Sequence, residues 1–148
     1  MEQIRTDVEI LELAIAREED AYVFYSAMAE QVKDIQIRAV FEDLARDELE
    51  HKAKLELEYI KTGKVLPKKG PSEPRIFVQF NDADVNITYR NILRLAIDKE
   101  DSAFRFYIDM ISNAQDQNSK DMLVALAQEE VKHKIRFENA LNNLSQGV

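Results

Sequence analysis

Apolar residues recur at three- and four-residue steps through four long stretches of the chain, the spacing that gathers side chains on one face of an α-helix. In the first stretch Val8, Leu11, Ile15, Tyr22, Tyr25, Ala29 and Val32 form the stripe, and in the second Ile37, Phe41, Leu44, Leu55 and Tyr59 do. The third carries Leu93, Ile97, Phe104, Tyr107 and Ile111, and the fourth Leu123, Leu126, Phe137, Leu141 and Leu144. Thr6-Asp7-Val8-Glu9 has the capping-box spacing and predicts the start of the first helix. Asp34 and Asp116 fall in the short connections inside each helix pair and are predicted to cap the second and fourth helices.

The pattern is written twice. Sliding the sequence by 82 positions lays LELAIAREEDAYVFYSAM (11–28) over LRLAIDKEDSAFRFYIDM (93–110) and LARDELEHKAKLE (44–56) over LAQEEVKHKIRFE (126–138) without a gap. Between Ile10–Tyr59 and Ile92–Leu141 there are 17 identities in 50 pairs, where average composition gives about three. The chain therefore reads as two helical hairpins, about 6–61 and about 86–145, within one domain spanning 1–148. All three prolines (Pro67, Pro71, Pro74) and two of the three glycines (Gly63, Gly70) fall in the connection between them, about 62–85. A loop this long inside a small domain needs a reason. Helices of about 28 residues are about 42 Å long, and a crossover running the length of a bundle supplies that reason, with Ile76, Phe77, Val78 and Phe80 lying against the helices. Two hairpins joined by one long crossover predict an all-α, ferritin-like four-helix bundle.

Composition narrows what such a bundle does. The chain has 148 residues, 45% hydrophobic and 32% charged, enough for one domain with a real core. With 28 acidic against 20 basic side chains and a net charge of −8, it has no basic surplus to neutralise phosphates, so no nucleic-acid partner is expected. The absence of cysteine removes disulfides, thiolate nucleophiles and cysteine-ligated metal sites. No apolar run approaches the roughly 18 residues of a membrane span, and the first residues lack the organisation of a secretion signal. A cytoplasmic location without membrane attachment is the expectation.

Six residues do not belong on an apolar stripe. Glu18 lies between Ile15 and Tyr22, and Glu100 occupies the same place between Ile97 and Phe104. Glu48 and His51 interrupt the run from Leu44 to Leu55, while Glu130 and His133 interrupt the run from Leu126 to Phe137. Residues three apart on a helix lie one turn apart on the same side, so each Glu-x-x-His presents both side chains together. One such pair alone reads as a solvated helix face. Here the chain's only two histidines each follow a glutamate by three, and the shift relating the two pairs also relates Glu18 to Glu100. Four carboxylates in one low-dielectric centre repel unless compensated; two divalent cations cancel four negative charges, the imidazoles being neutral. Oxygen and imidazole donors suit iron or manganese, whereas zinc usually takes fewer ligands.

A Glu from each of two helices with Glu-x-x-His from each of the other two is the di-iron or di-manganese carboxylate pattern. AIAREEDAYVFY together with LARDELEHK resembles the rubrerythrin branch of the ferritin-like superfamily. The resemblance covers both hairpins and implies that Glu18 with His51 serves one metal, Glu100 with His133 the other, and that Glu48 and Glu130 bridge them. It implies two iron ions, or manganese, and an oxidoreductase of the peroxidase or ferroxidase type. Peroxide, dioxygen or Fe²⁺ would be the small substrate. Two departures shape this reading. Rubrerythrins carry an extra glutamate three residues after the third-helix ligand, where this chain has Ala103, with Ala21 at the equivalent position after Glu18. The centre therefore looks symmetric and closer to bacterioferritin, which opens iron handling or storage as the alternative function. Rubrerythrins also commonly carry a four-cysteine rubredoxin domain, so electrons here would come from a separate donor protein.

Around the ligands, Asp47 and Glu129 precede the two Glu-x-x-His glutamates, and in other di-iron carboxylate proteins an acid there often orients a histidine. Surface charge is the competing reading. Tyr25 and Tyr107, two turns beyond Glu18 and Glu100, are candidates to hydrogen-bond the ligands, with core packing as the ordinary alternative. Tyr22 and Phe104 either wall an oxidant pocket or simply pack. Lys52 and Lys134 match under the repeat and read as exposed charge. A symmetric homodimer is the default assembly.

Overall fold

Thr6 opens the first helix as its spacing predicts: the hydroxyl accepts from Glu9 N at 3.2 Å, and the Glu9 carboxylate accepts in return from Thr6 N at 3.5 Å. In this computed structural model, which describes residues 6–66 and 85–145, with side chains over 6–66 and 89–143, the helices are α1 (Asp7–Gln31), α2 (Ile35–Lys61), α3 (Val85–Asn113) and α4 (Gln117–Ser145). No strand occurs among the described residues. The greater part of the connection read as a crossover, including its prolines and Ile76, Phe77, Val78 and Phe80, lies outside them.

The predicted caps form. Asp34 Oδ1 accepts from Gln36 N at 2.9 Å and Ile37 N at 3.2 Å, and Asp116 Oδ2 accepts from Ser119 N at 3.2 Å. Asp34→Ala is expected to cost about 1 kcal/mol, read in thermal unfolding as a midpoint lower by about 2–4 °C. An unchanged midpoint would show that the tertiary packing, and not this cap, holds the start of α2. At the preceding helix end, Arg38 donates to Ala29 O (3.1 Å) and Val32 O (3.0 and 3.2 Å), satisfying carbonyls that the end of α1 leaves over. Gly63, at φ +89°, closes α2 in a conformation that a side chain would disfavour, with its N–H donating to Ile60 O at 2.9 Å.

The helices divide between two compact units. In the first, α1 and α2 pack through Ile10, Leu11, Ala14, Phe24, Tyr25 and Met28 on one side and Phe41, Leu44 and Leu55 on the other, all buried. Tyr25 meets Phe24 edge-on at 5.2 Å and stacks on Phe41 at 6.2 Å. Fully burying a side chain such as Phe41 contributes about 1.5–3 kcal/mol. Tyr59, 6% exposed, is held above the ordinary tyrosine pKa by that burial and by the Glu12 carboxylate, which accepts its hydroxyl hydrogen bond. The turn 113–119 belongs to this unit, where the Asp7 carboxylate accepts from Gln115 N at 2.8 Å and Asp116 N at 2.7 Å.

The second unit holds most of α3 and α4, with Ile92, Leu93, Ala96, Tyr107 and Met110 buried on the one and Leu123, Leu126, Ala127 and Phe137 on the other. In both units the core is turned slightly from the predicted stripes. Tyr22, Ile37, Ile97, Phe104 and Ile111 are only half-buried, while Phe24, Met28 and Met110 are inside. The apolar arc on each helix is wider than one stripe, and packing against the neighbouring helix selects which part of it faces inward.

Candidate metal centre

Glu18 sits mid-way along α1, between Ala14 and Ile15 one turn before it and Phe24 and Tyr25 beyond, so the helical repeat carries it to the packed side of the helix. It is 2% exposed. Across from it, α2 buries Glu48 (2% exposed) and His51 (5%) between Leu44 and Leu55. His51 Nδ1 lies 3.6 Å from Glu18 Oε2 and 3.6 Å from Glu48 Oε1. The three residues offer donor atoms that all fall within 4.8 Å of one another.

The second unit repeats the construction. Glu100 on α3 and Glu130 and His133 on α4 are 2%, 1% and 5% exposed. His133 Nδ1 is 3.5 Å from Glu100 Oε2 and 4.0 Å from Glu130 Oε2, and these three also offer donors within 4.8 Å of one another. The structure thus gathers each Glu-x-x-His with the glutamate of its own hairpin partner. It adds what spacing could not supply: in both rings Nδ1 is the nitrogen turned to the carboxylates.

These sets fit a metal ion on their own geometry and chemistry. The Nδ1–carboxylate separations are too long for hydrogen bonds. An ion about 2.1 Å from each donor holds neighbouring donors about 3.0–3.4 Å apart, close to the 3.5 and 3.6 Å contacts; only the Glu130 contact is wider. Two carboxylates and one imidazole, each nearly excluded from water, form a donor set that suits a first-row divalent cation such as iron or manganese. The same set without a cation would leave buried like charges side by side, an arrangement that burial makes costly.

The residues around the ligands sort differently from the sequence reading in one respect. Lys52 and Lys134, read as exposed charge, are partly buried and reach across their hairpins: Lys52 Nζ lies 2.7 Å from Glu19 Oε2 and Lys134 Nζ 3.2 Å from Asp101 Oδ1. Each acid directly follows a candidate ligand glutamate, and each lysine directly follows a candidate ligand histidine. The shared shift of 82 that relates Glu19 to Asp101 and Lys52 to Lys134 was the signal available for these pairs. Tyr25 and Tyr107 are fully buried, Tyr25 between Phe24 and Phe41 and Tyr107 edge-on to Phe106 at 5.3 Å. Asp47 is half-buried. Glu129 has a 43% exposed side chain and lies 3.1 Å from Lys132. Tyr22 lines an open groove of about 510 Å³ along α1 and α2 together with Ser26, Ala45 and Leu49, all within about a turn or two of Glu18 or Glu48.

Comparison with known proteins places the chain in a family. The rubrerythrin family pattern matches residues 9–141, nearly the whole chain, a span within which the six candidate ligands fall. A solved structure of a hypothetical protein from Pyrococcus furiosus is 26% identical, with a TM-score of 0.74 over 95% of this chain and 90% of that one. A conserved hypothetical protein from Mycobacterium tuberculosis (14% identity, TM-score 0.69, 92% and 90% covered) and a DUF305 fragment from Deinococcus radiodurans (16%, 0.69, 93% and 95%) share the fold. No curated protein matches the chain. No described helix is long and apolar enough to cross a membrane. Four helices and no strand among the described residues, in two hairpins repeating one Glu and Glu-x-x-His pattern, make the fold class all-α and ferritin-like, and the chain belongs to the rubrerythrin family.

Proposed function

We propose that the protein is a di-iron, or di-manganese, oxidoreductase that reduces peroxide or dioxygen with electrons from a separate donor protein. The observation that carries this reading is the duplicated buried donor set: Glu18, Glu48 and His51 in one hairpin and Glu100, Glu130 and His133 in the other. Two bound divalent ions would supply the redox chemistry, giving up one electron each as peroxide takes up two protons and becomes two waters. The protein's part is positional and electrostatic. Four carboxylates balance the charge of two divalent ions, so the filled centre is neutral in a medium where net charge is expensive. The imidazole Nδ1 atoms, turned to the carboxylates, would hold the ions together with Glu18 and Glu100, and by family likeness Glu48 and Glu130 would be shared between them. The packed residues around the glutamates exclude bulk water, and an open groove lined by Tyr22, Ala45 and Leu49 runs along the same two helices.

Ala21 and Ala103 favour iron oxidation and handling as the second reading, because the extra glutamate of rubrerythrins is missing from both halves. One experiment separates the two. Apoprotein loaded anaerobically with Fe²⁺ and mixed with peroxide is expected to oxidise two Fe²⁺ per chain and, with a reductant present, to turn over repeatedly. Stoichiometric oxidation without turnover, in a shell-forming oligomer rather than a dimer, would move the assignment to storage; no iron uptake would end both.

A further inference from the structure

Beside each donor set, one ion pair joins the two helices that carry the ligands. Glu19 follows Glu18 on α1 and pairs at 2.7 Å with Lys52, which follows His51 on α2; the two side chains are 15% and 18% exposed. Asp101 follows Glu100 on α3 and pairs at 3.2 Å with Lys134, which follows His133 on α4, at 30% and 33% exposure. Asp101 also lies 3.1 Å from Arg105, so its carboxylate is divided between two cations. One residue along a helix is 100° of rotation and 1.5 Å of rise. A bond between residues adjacent to the ligands therefore limits how far one ligand-bearing turn can rotate or slide against the other.

The two halves differ in how well this is done. The first uses the longer acid, the shorter contact and the less solvated pair, and there His51 Nδ1 is equidistant from its two carboxylates at 3.6 and 3.6 Å. The second uses the shorter acid in a longer and more solvated contact, and His133 Nδ1 sits unevenly at 3.5 and 4.0 Å. Exposed ion pairs contribute little and burial strengthens them. Donor sets held in place before binding lose less freedom when an ion arrives.

Resting on the metal-binding reading above, we infer that Glu19–Lys52 and Asp101–Lys134 are positioning pairs that make two chemically matched half-sites unequal. The Glu18, Glu48 and His51 set takes its divalent ion more tightly than the Glu100, Glu130 and His133 set. Each pair is neutral as a unit and acts through position rather than field. The distinction can be tested because the two effects have opposite signs: removing Lys52 alone leaves the Glu19 anion beside the site, which by field alone would strengthen cation binding.

The chain has two histidines, one in each half, so ring signals in NMR report the halves separately. Titrating the full-length apoprotein with Zn²⁺, a redox-silent probe, is expected to shift the His51 ring first and the His133 ring second, with constants about tenfold apart. Lys52→Met should weaken the His51 step about tenfold and bring the two steps together, while leaving the His133 step in place. Lys52→Arg should restore the separation. Asp101→Glu should tighten the His133 step by lengthening the acid that reaches Lys134. Simultaneous titration of both rings in the unaltered protein, a tighter His51 step in Lys52→Met, or equal weakening of both steps in that variant would overturn the inference while leaving the metal centre standing. If neither ring responds to Zn²⁺ or Mn²⁺, the metal-binding reading itself fails.

Discussion

Glu48→Ala is expected to take the protein from two transition-metal ions per chain to none, measured by elemental analysis after equilibrium dialysis against Fe²⁺ or Mn²⁺. Within its own hairpin Glu48 supplies one of three buried donors, 3.6 Å from His51 Nδ1. In the proposed reading Glu48 would serve both ions, so its loss would remove a donor from each and leave the remaining negative charge poorly balanced. Changes to outer-shell partners alone commonly reduce metal affinity about 10–100-fold, and loss of a shared ligand should exceed the upper end of that range for both ions. His51→Ala, by contrast, removes a donor from one half and should spare one ion. A Glu48→Ala protein that retains one ion per chain would assign Glu48 to its own half alone and refute the bridging role.

Stability should respond to the same carboxylates with opposite sign in the two states. Glu18 and Glu100 are each 2% exposed, in line along α1 and α3 with buried apolar residues and facing a histidine and a second glutamate. Replacing both by leucine, similar in volume, removes two buried charges. Substitutions of this kind are often neutral or stabilising by about 1–4 kcal/mol, and for a chain of this size each kcal/mol moves the unfolding midpoint by about 2–4 °C. The metal-free Glu18→Leu/Glu100→Leu protein is therefore expected to melt several degrees above the metal-free parent. With metal present the order should reverse. An ion at 100 times its dissociation constant stabilises the parent by about 2.7 kcal/mol, and the double variant gains little because each donor set has lost a carboxylate. Calorimetry with and without Mn²⁺ reads both comparisons. A double variant that melts lower in both states would mean that the carboxylates contribute to the packed structure rather than cost it, and would weaken the case for a site built around cations. The expected crossover is a site that costs stability in order to bind.

Much of this is legible in the amino-acid sequence, and the reason is repetition. A lone Glu-x-x-His carries little weight, but the same 82-residue shift aligning Glu18 with Glu100, Glu48 with Glu130 and His51 with His133 turns a weak motif into a constellation. Caps were legible for a local reason: Thr6, Asp34 and Asp116 act on backbone groups two or three residues away, so the sequence neighbourhood contains the whole interaction. Asp7 shows the limit of local reading. Its carboxylate accepts from Gln115 N and Asp116 N, 108 and 109 residues along the chain, and no spacing rule connects them.

What the sequence determined by itself is the part governed by period and chemistry: four helices, their paired arrangement, the six candidate donor residues, and the suitability of oxygen and imidazole donors for iron or manganese. Only the tertiary structure decided the part governed by how side chains meet. It chose which portion of each wide apolar arc is buried, placing Phe24 and Met28 inside and leaving Tyr22 lining a groove. It turned Nδ1 of both histidines toward the carboxylates, and it converted Lys52 and Lys134 from surface charge into ties between the ligand-bearing helices. The physical reason is that helical periodicity fixes the direction of a side chain only to within the width of a face, about 100°. Distances of a few ångströms between side chains on different helices depend on the rotation and height at which the packed helices settle.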